Sequence, residues 1–391
     1  MKKILSILNV SNRENIGSDS GVIFHSLLFP ECRKRKYKVT VAAPFEIKID
    51  GIDYVFIESG KNKYDVRFRF DWDAYTELIE KTEPDIIFCH QIEQCANIRA
   101  LLISLGLSQK IKLVTYYHYL PAMELIDDEI TWDPSLNHDG LAEIIFFKVL
   151  SALKTSDLFF VTSEYSKQFL IHLAKKYNFS FDKQKIVIMP PPADPFFELR
   201  KPIGFRESQN TILYSSRLYE QYGTDFLIEL IEHYNNSGVK FIVTDFFSNK
   251  SVERKKLDTK TEKYREYIKK QDNVIIRDDG DSRNIYRDEI IASSSLVLGP
   301  YRKNANWSMS MIDAFMMGIP GIGPDCASFP EFMPSNLIYN SKEDAIRLID
   351  RLLSDKNFWV NASEQCRQSY QRFMPREIAR IFFNSIEKHE K

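Results

Sequence analysis

The sequence predicts an α/β protein made of two Rossmann-like halves, and three observations carry that expectation. Short apolar runs suited to buried strands alternate with helix-length amphipathic stretches along most of the chain. Pro190-Pro191-Pro192 and Asp194-Pro195 interrupt the alternation with a stiff, extended break, after which it restarts. The chain has 391 residues, enough for two domains. The expected division is 1–190, 196–372 and a C-terminal helix over 373–391.

In the first half a buried strand is expected over 3–10, followed by a polar segment that carries Gly17 and Gly21. A helix over 22–32 leads to strands over 38–43 and 53–57. Helix 73–81, strand 86–88, helix 92–105 and strand 111–116 continue the pattern. An irregular stretch, 119–140, precedes helix 141–153, strand 158–162, helix 165–177 and strand 185–189. Such alternation argues for βαβ units and a parallel sheet.

The second half repeats the theme: strand 211–215, helix 224–235, strand 240–244, a charged helix over 252–270, strand 273–276, helix 285–293 and strand 295–299. Next comes SMSMIDAFMMGIPGIGPD, residues 308–325. Met309, Ile312, Phe315 and Met316 recur at helical spacing. Gly318 suits the left-handed position past the helix end, Pro320 prevents continuation, and an apolar strand follows. The polar run 304–308 can supply the helix start, where unpaired N–H groups and the positive dipole end favour an anion. An ordinary helix-to-strand corner would look the same locally. Helices over 342–353 and 358–388 close the chain, the last bending at Pro375.

Composition narrows the function. With 44% hydrophobic and 27% charged residues the chain reads as globular, and a formal charge of −1 excludes bulk attraction to polyanions. The five cysteines, Cys32, Cys89, Cys95, Cys326 and Cys366, form no C-x-x-C pair and suit a reducing cytoplasm. The apolar N-terminal segment is too short for a signal peptide, and no run approaches the ~18 residues of a spanning helix. Two basic features stand out locally. Arg33-Lys34-Arg35-Lys36 could meet anionic lipid as a peripheral membrane contact, at about 1 kcal/mol per residue, or simply end a solvated helix. Residues 250–270 carry nine basic and four acidic side chains, fit to track nucleic-acid phosphates or to form a solvated face.

Four segments, in order, resemble one family: TSDLFFVTSEYSKQFL (155–170), KIVIMPPPAD (185–194), SSRLYEQYGTDFLIEL (215–230) and DAFMMGIPGIGPD (313–325). They resemble the GT-B glycosyltransferases, most closely glycosyltransferase family 4. The resemblance implies two Rossmann-like domains facing a cleft, with C-terminal helices able to cross back to the N-terminal domain. It implies a nucleotide-sugar donor held mainly by the C-terminal domain. Arg217 matches the loop arginine that contacts the donor diphosphate, a role suited to a permanently charged, forked guanidinium. Tyr222 stands where the family keeps a lysine, beside Gly223. Asp313 stands for the second of two family glutamates and can accept hydrogen bonds from ribose hydroxyls; Ala305 occupies the position of the first, with Asn304 or Asn306 as substitutes. Asn306, Ser308 and Met309 form the expected helix start at the donor.

In the N-terminal half, VTYYHYLP (114–121) resembles the family's T-x-H-D strand end. His118 matches the histidine near the reacting sugar and is the catalytic candidate, while Tyr119 replaces the aspartate. Gly17 matches the glycine loop that approaches the donor. Trp132, His138 and Asp139, in the aromatic and acidic stretch 119–140, are the acceptor-side candidates; a folded surface insertion would look alike.

Charge developing on a departing diphosphate can be met by cations and helix dipoles without a metal. Asp71-Trp72-Asp73 has D-x-D spelling but sits where a helix cap belongs. The expectation is therefore a metal-independent transferase without a cofactor, retaining by family resemblance, acting on a glycan or lipid-linked glycan in the cytoplasm or at its membrane surface. Two other readings stand beside it. One is a phage-type glycosyltransferase of the same fold that acts on DNA or a modified base. The other, motivated by Ala305 and Tyr222, is a non-catalytic GT-B partner subunit.

Overall fold

The computed structural model describes residues 1–8, 19–58, 60, 63–90, 92–117, 121–126, 129–133, 136–207, 209–244, 259–278, 282–304 and 307–388. Contacts divide the chain into two compact units. The first comprises Met1–Pro121, His138–Pro192 and Pro375–Lys391, and the second Ala122–Asn137 and Ala193–Met374.

In chain order the strands up to the proline break are β1 (Lys3–Ile7), β2 (Lys38–Ala43), β3 (Asp53–Phe56), β4 (Ile86–Cys89), β5 (Lys112–Tyr117), β6 (Ala122–Ile126), β7 (Glu129–Trp132), β8 (Leu158–Val161) and β9 (Ile186–Ile188). The first unit holds a seven-stranded sheet in the order β3-β2-β1-β4-β5-β8-β9, parallel throughout. Parallel strands covered on both faces need near-continuous apolar runs, as in the wholly buried IIFC of β4 and LFFV of β8. The C-terminal helix Pro375–Lys388 belongs to this unit's core. Phe382 packs edge-on to Phe88 at 5.6 Å, and Phe383 lies 4.6 Å from Tyr37. Burying each phenylalanine contributes about 1.5–3 kcal/mol.

The second unit holds β10 (Thr211–Tyr214), β11 (Lys240–Thr244), β12 (Val274–Arg277), β13 (Leu296–Leu298), β14 (Gly321–Pro324) and β15 (Ile338–Tyr339). Their order is β12-β11-β10-β13-β14-β15, again all parallel. Tyr214, Phe241, Phe315, Phe329 and Tyr339 fill its core. Trp359, on the helix Lys356–Tyr370, buries its ring there and donates from Nε1 to the Ser295 carbonyl at 2.7 Å. The helix Met309–Met317 ends where Gly318 turns left-handed at φ +88°, as its sequence position implied.

Three departures from the sequence-based expectation have local causes or consequences. The helix expected over 358–388 is two helices, because Pro375 cannot donate into a preceding turn and instead begins the second. The stretch expected to be irregular contains the antiparallel hairpin β6–β7, whose strands are too short to give a clear period. The helix expected over 285–293 widens to π geometry at Tyr286–Ile291, with the Ala292 N–H bonded to the Arg287 carbonyl. Of the charged helix expected over 252–270, the described part is Thr259–Lys269.

Candidate functional site

The strand order of the second sheet reverses between β10 and β13. From β10 the chain passes to β11 on one side, while β13 lies on the other. Ligands of open α/β sheets bind outside the carboxyl ends of strands at such a reversal. The segment 215–223 after β10 and the segment 299–308 after β13 both leave the sheet at that end.

The first segment is anchored from below. Tyr214, fully buried, donates its hydroxyl to the Tyr222 carbonyl at 3.2 Å. A 3₁₀ turn over Glu220–Tyr222 ends at Gly223, left-handed at φ +71°. A Cβ on Gly223 would lie 2.6 Å from the Tyr301 carbonyl oxygen, so a glycine is what lets the two segments touch. Half-buried Arg217 lies 5.8 Å over the Tyr219 ring, and Tyr219 meets Tyr222 edge-on at 5.6 Å. From the second segment Arg302 stacks over Tyr222, its Cζ 4.2 Å from the ring centroid, and donates from Nη1 to the Tyr222 hydroxyl at 2.8 Å. Tyr222 therefore does not leave the position without charge; a guanidinium covers it.

Ser308 takes extended geometry (φ −130°) before the helix Met309–Met317, and no side chain caps that helix start. The Ser308 hydroxyl is 3.4 Å from that of Ser310, and Met309 is half-buried. On the same helix Asp313 is buried, and its Oδ1 has no hydrogen-bond partner among the described residues. Burial pushes the Asp313 carboxyl well above the usual carboxylate range. The charge of Asp194 adds to the rise, and Arg283 opposes it. Asp194 and Arg283 are themselves ion-paired, with the Arg283 guanidinium 4.9 Å over Phe196. The Tyr286 hydroxyl donates to Ser215 at 2.9 Å, and Thr244 donates to the same oxygen at 3.1 Å. These bonds tie the ends of β10 and β11 to the π turn.

Arg302, Asp194, Arg283 and Tyr286 are absent from the sequence-derived site. Arg302 lies two residues before the polar run 304–308, the one available signal. The other three come from separate segments that only the fold brings near Asp313.

The remaining candidates fall elsewhere. His118, Gly17 and Asn306 lie outside the described residues, as does Ala305. Trp132 ends β7 in the second unit. Its neighbour Asp133, buried, accepts from Gln221 Nε2 at 3.4 Å and links the hairpin to the segment after β10. His138 and Asp139 belong to the first unit, with His138 Nδ1 3.3 Å from the exposed Asp139 carboxylate. Asp71 accepts from the Ala74 N–H at 3.0 Å and caps the helix Trp72–Thr82.

A buried polar centre in the first unit escaped the sequence reading. His25 donates from Nδ1 to the Gly21 carbonyl at 2.6 Å, which leaves Nε2 to accept from Ser6 of β1 at 2.7 Å. Its complete burial lowers the imidazole to about 4. Among the described residues no three His, Cys, Asp or Glu side chains group as a metal site, and no helix is long and apolar enough to cross a membrane. All five cysteines are free thiols.

Comparison with known proteins defines the class. HepE from Anabaena, solved in complex with UDP and glucose, superposes with a TM-score of 0.69 at 11% identity, covering 99% of this chain and 100% of that one. Sucrose-phosphate synthase from Thermosynechococcus elongatus gives 0.70 at 13% identity, covering 99% of each chain. The catalytic domain of starch synthase IV from Arabidopsis thaliana, bound to ADP and acarbose, gives 0.66 at 12% identity, again covering 99% of each. The fold is thus that of the GT-B glycosyltransferases, two Rossmann-like domains in one chain. Residues 28–195 match the sequence profile described as Glycosyltransferase Family 4. The comparisons thus give the GT-B fold over the whole chain and that profile over residues 28–195. No curated protein sequence matches it.

Proposed function

We propose that the protein is a glycosyltransferase that takes its sugar from a nucleotide sugar bound by the second unit at the β10/β13 reversal. The observation that carries the reading is the position, on the segments that follow β10 and β13, of Arg217 and of the uncapped helix Met309–Met317 with its buried Asp313, whose Oδ1 has no partner among the described residues. Guanidinium groups suit diphosphate oxygens, and an unsatisfied buried carboxyl suits sugar hydroxyls. The UDP and ADP held by the structurally similar proteins are consistent with such a donor. In this reading Arg217, Tyr222, Asn306, Ser308 and Met309 line the donor, and Gly17 approaches it. His118 acts at the reacting sugar, while Trp132, His138 and Asp139 serve a glycan or lipid-linked glycan acceptor. Transfer is metal-independent, with cations and the uncapped helix start meeting the leaving diphosphate, and retains the anomeric configuration. Five free thiols suit a cytoplasmic enzyme.

The test is a thermal-shift screen of UDP-, ADP- and GDP-sugars, followed by calorimetry on any hit, with and without EDTA. Stabilisation by one nucleotide family that survives EDTA is expected, since a ligand specific to the folded state raises its stability by mass action. Absence of any shift at millimolar ligand would count against the reading. An NMR assignment of the product anomer tests retention separately.

A further inference from the structure

We propose that Arg302 is a diphosphate-binding residue, supplying from the segment after β13 the second positive charge that Tyr222 cannot supply from the segment after β10. The inference rests on the nucleotide-sugar reading above and goes beyond it, since neither the sequence profile nor the likeness to other folds assigns Arg302 a role.

The geometry points to an anion. Arg302 is held from two directions: Nε donates to Asn304 Oδ1 at 2.6 Å, Nη1 donates to the Tyr222 hydroxyl at 2.8 Å, and the guanidinium plane sits 4.2 Å over the Tyr222 ring. Asn304 is itself buried, so its amide is a fixed post. The Arg302 carbonyl accepts from the Cys326 thiol at 3.7 Å, which adds a contact from the far end of β14. Every one of these partners is neutral. Among the described residues no carboxylate pairs with Arg302, and Nη2 has no hydrogen-bond partner.

Several half-buried arginines of the same unit pair with a carboxylate, Arg277 with Glu289, Arg283 with Asp194 and Arg287 with Asp288. Arg206, which bonds to Gln209 and the Ala292 carbonyl, is exposed. A half-buried cation whose partners among the described residues are all neutral loses hydration without an opposing charge from them in return. Holding it rigid in that state is unfavourable unless an anion completes it. Its location supplies the anion's address, because it stands where the strand order reverses and on the segment that runs into the uncapped start of the helix Met309–Met317.

The ring beneath it explains the residue at 222. A lysine there would place an ammonium, a second positive charge, against the guanidinium. A tyrosine instead offers a π face and a hydroxyl, both of which favour a cation above. The charge has changed strand without leaving the site.

The test is calorimetric titration of the full chain with UDP and ADP, and with uridine and adenosine, on wild type, R302Q and the charge-transplant double variant Y222K/R302Q. R302Q should lose about tenfold or more in affinity for whichever diphosphate the wild type binds, as for a lost charged hydrogen bond. Its affinity for the matching nucleoside should stay unchanged. The double variant should recover part of the lost diphosphate affinity, because a lysine at 222 restores the charge; a purely structural Arg302 would not be rescued that way. Should R302Q fail to fold, R302K replaces it. R302K keeps the charge without the fork and should bind the diphosphate more weakly at equal nucleoside affinity. Unchanged diphosphate affinity in R302Q or R302K, or equal losses for diphosphate and nucleoside, would overturn the assignment. A wild type that binds neither UDP nor ADP would instead overturn the nucleotide-sugar reading, and the assignment with it.

Discussion

Two left-handed glycines of the second unit give a matched pair that isolates one contact. Gly223 and Gly238 have φ of +71° and +81°, so alanine at either suffers similar backbone strain. That strain costs roughly 1–2 kcal/mol for a residue with a Cβ, partly offset by about 0.4–1 kcal/mol from the less flexible unfolded chain. Their surroundings differ completely. A Cβ at Gly238 meets nothing within 4 Å, whereas one at Gly223 would sit 2.6 Å from both Cβ and the carbonyl oxygen of Tyr301. Carbon contacts relax only near 3.5 Å, so the segment carrying Tyr301 and Arg302 must retreat by about 1 Å. Overpacking of this kind costs about 1–3 kcal/mol. Gly223→Ala should therefore destabilise the second unit by about 1–3 kcal/mol more than Gly238→Ala. Native-state hydrogen exchange at the β10 and β13 amides measures the difference within that unit. Calorimetry should show lower diphosphate affinity for Gly223→Ala alone. Equal exchange costs for the two variants would refute the claim that this close approach sets the segment after β13.

Three further outcomes are expected. His25 is neutral in the fold and lowered to about 4 from an ordinary 6.5, so the unfolded chain binds the extra proton between those values. Its contribution is full above about pH 6.5 and is lost as pH falls towards 4, amounting to about 3 kcal/mol; an NMR titration placing the imidazole near 6.5 would contradict this. Asp313 has the opposite sign, since its raised carboxyl favours the protonated fold, and stability is lost as pH rises above the ordinary carboxylate range. Asp313→Asn should flatten the melting profile between pH 5 and pH 8, and a less stable variant at the upper end would show the carboxylate to be well partnered. Arg217→Ala should weaken nucleoside diphosphate binding by about 1.5–3 kcal/mol, read by calorimetry; wild-type affinity would remove Arg217 from the donor site.

The two α/β halves were legible because strand burial leaves continuous apolar runs, such as Ile86–Cys89 and Leu158–Val161, between helical periods. Gly318 marked a helix end for reasons of backbone chemistry alone, whereas Pro375, read as a bend, begins a new helix. The site was only half legible. Arg217 and Asp313 were candidates by motif, but Asp194 and Arg283, which act on the Asp313 carboxyl through space, lie far from it in the chain. Tyr222 shows the limit most clearly. Read along the chain it is a missing positive charge. In three dimensions it is the platform for Arg302, which is separated from it by 80 positions.

The helix Pro375–Lys388 sets the order in which the chain can finish folding. Phe382 and Phe383 complete the first unit's core, yet they follow every residue of the second unit in the chain. The second unit, whose final residue is Met374, has all its parts before that helix emerges. During synthesis the N-terminal half therefore waits without the rings that Phe382 and Phe383 lay on Phe88 and Tyr37, while the C-terminal half can close. A fragment cut at the proline break would inherit that open core permanently, and a chain stopped short of the helix would damage the half that was made first.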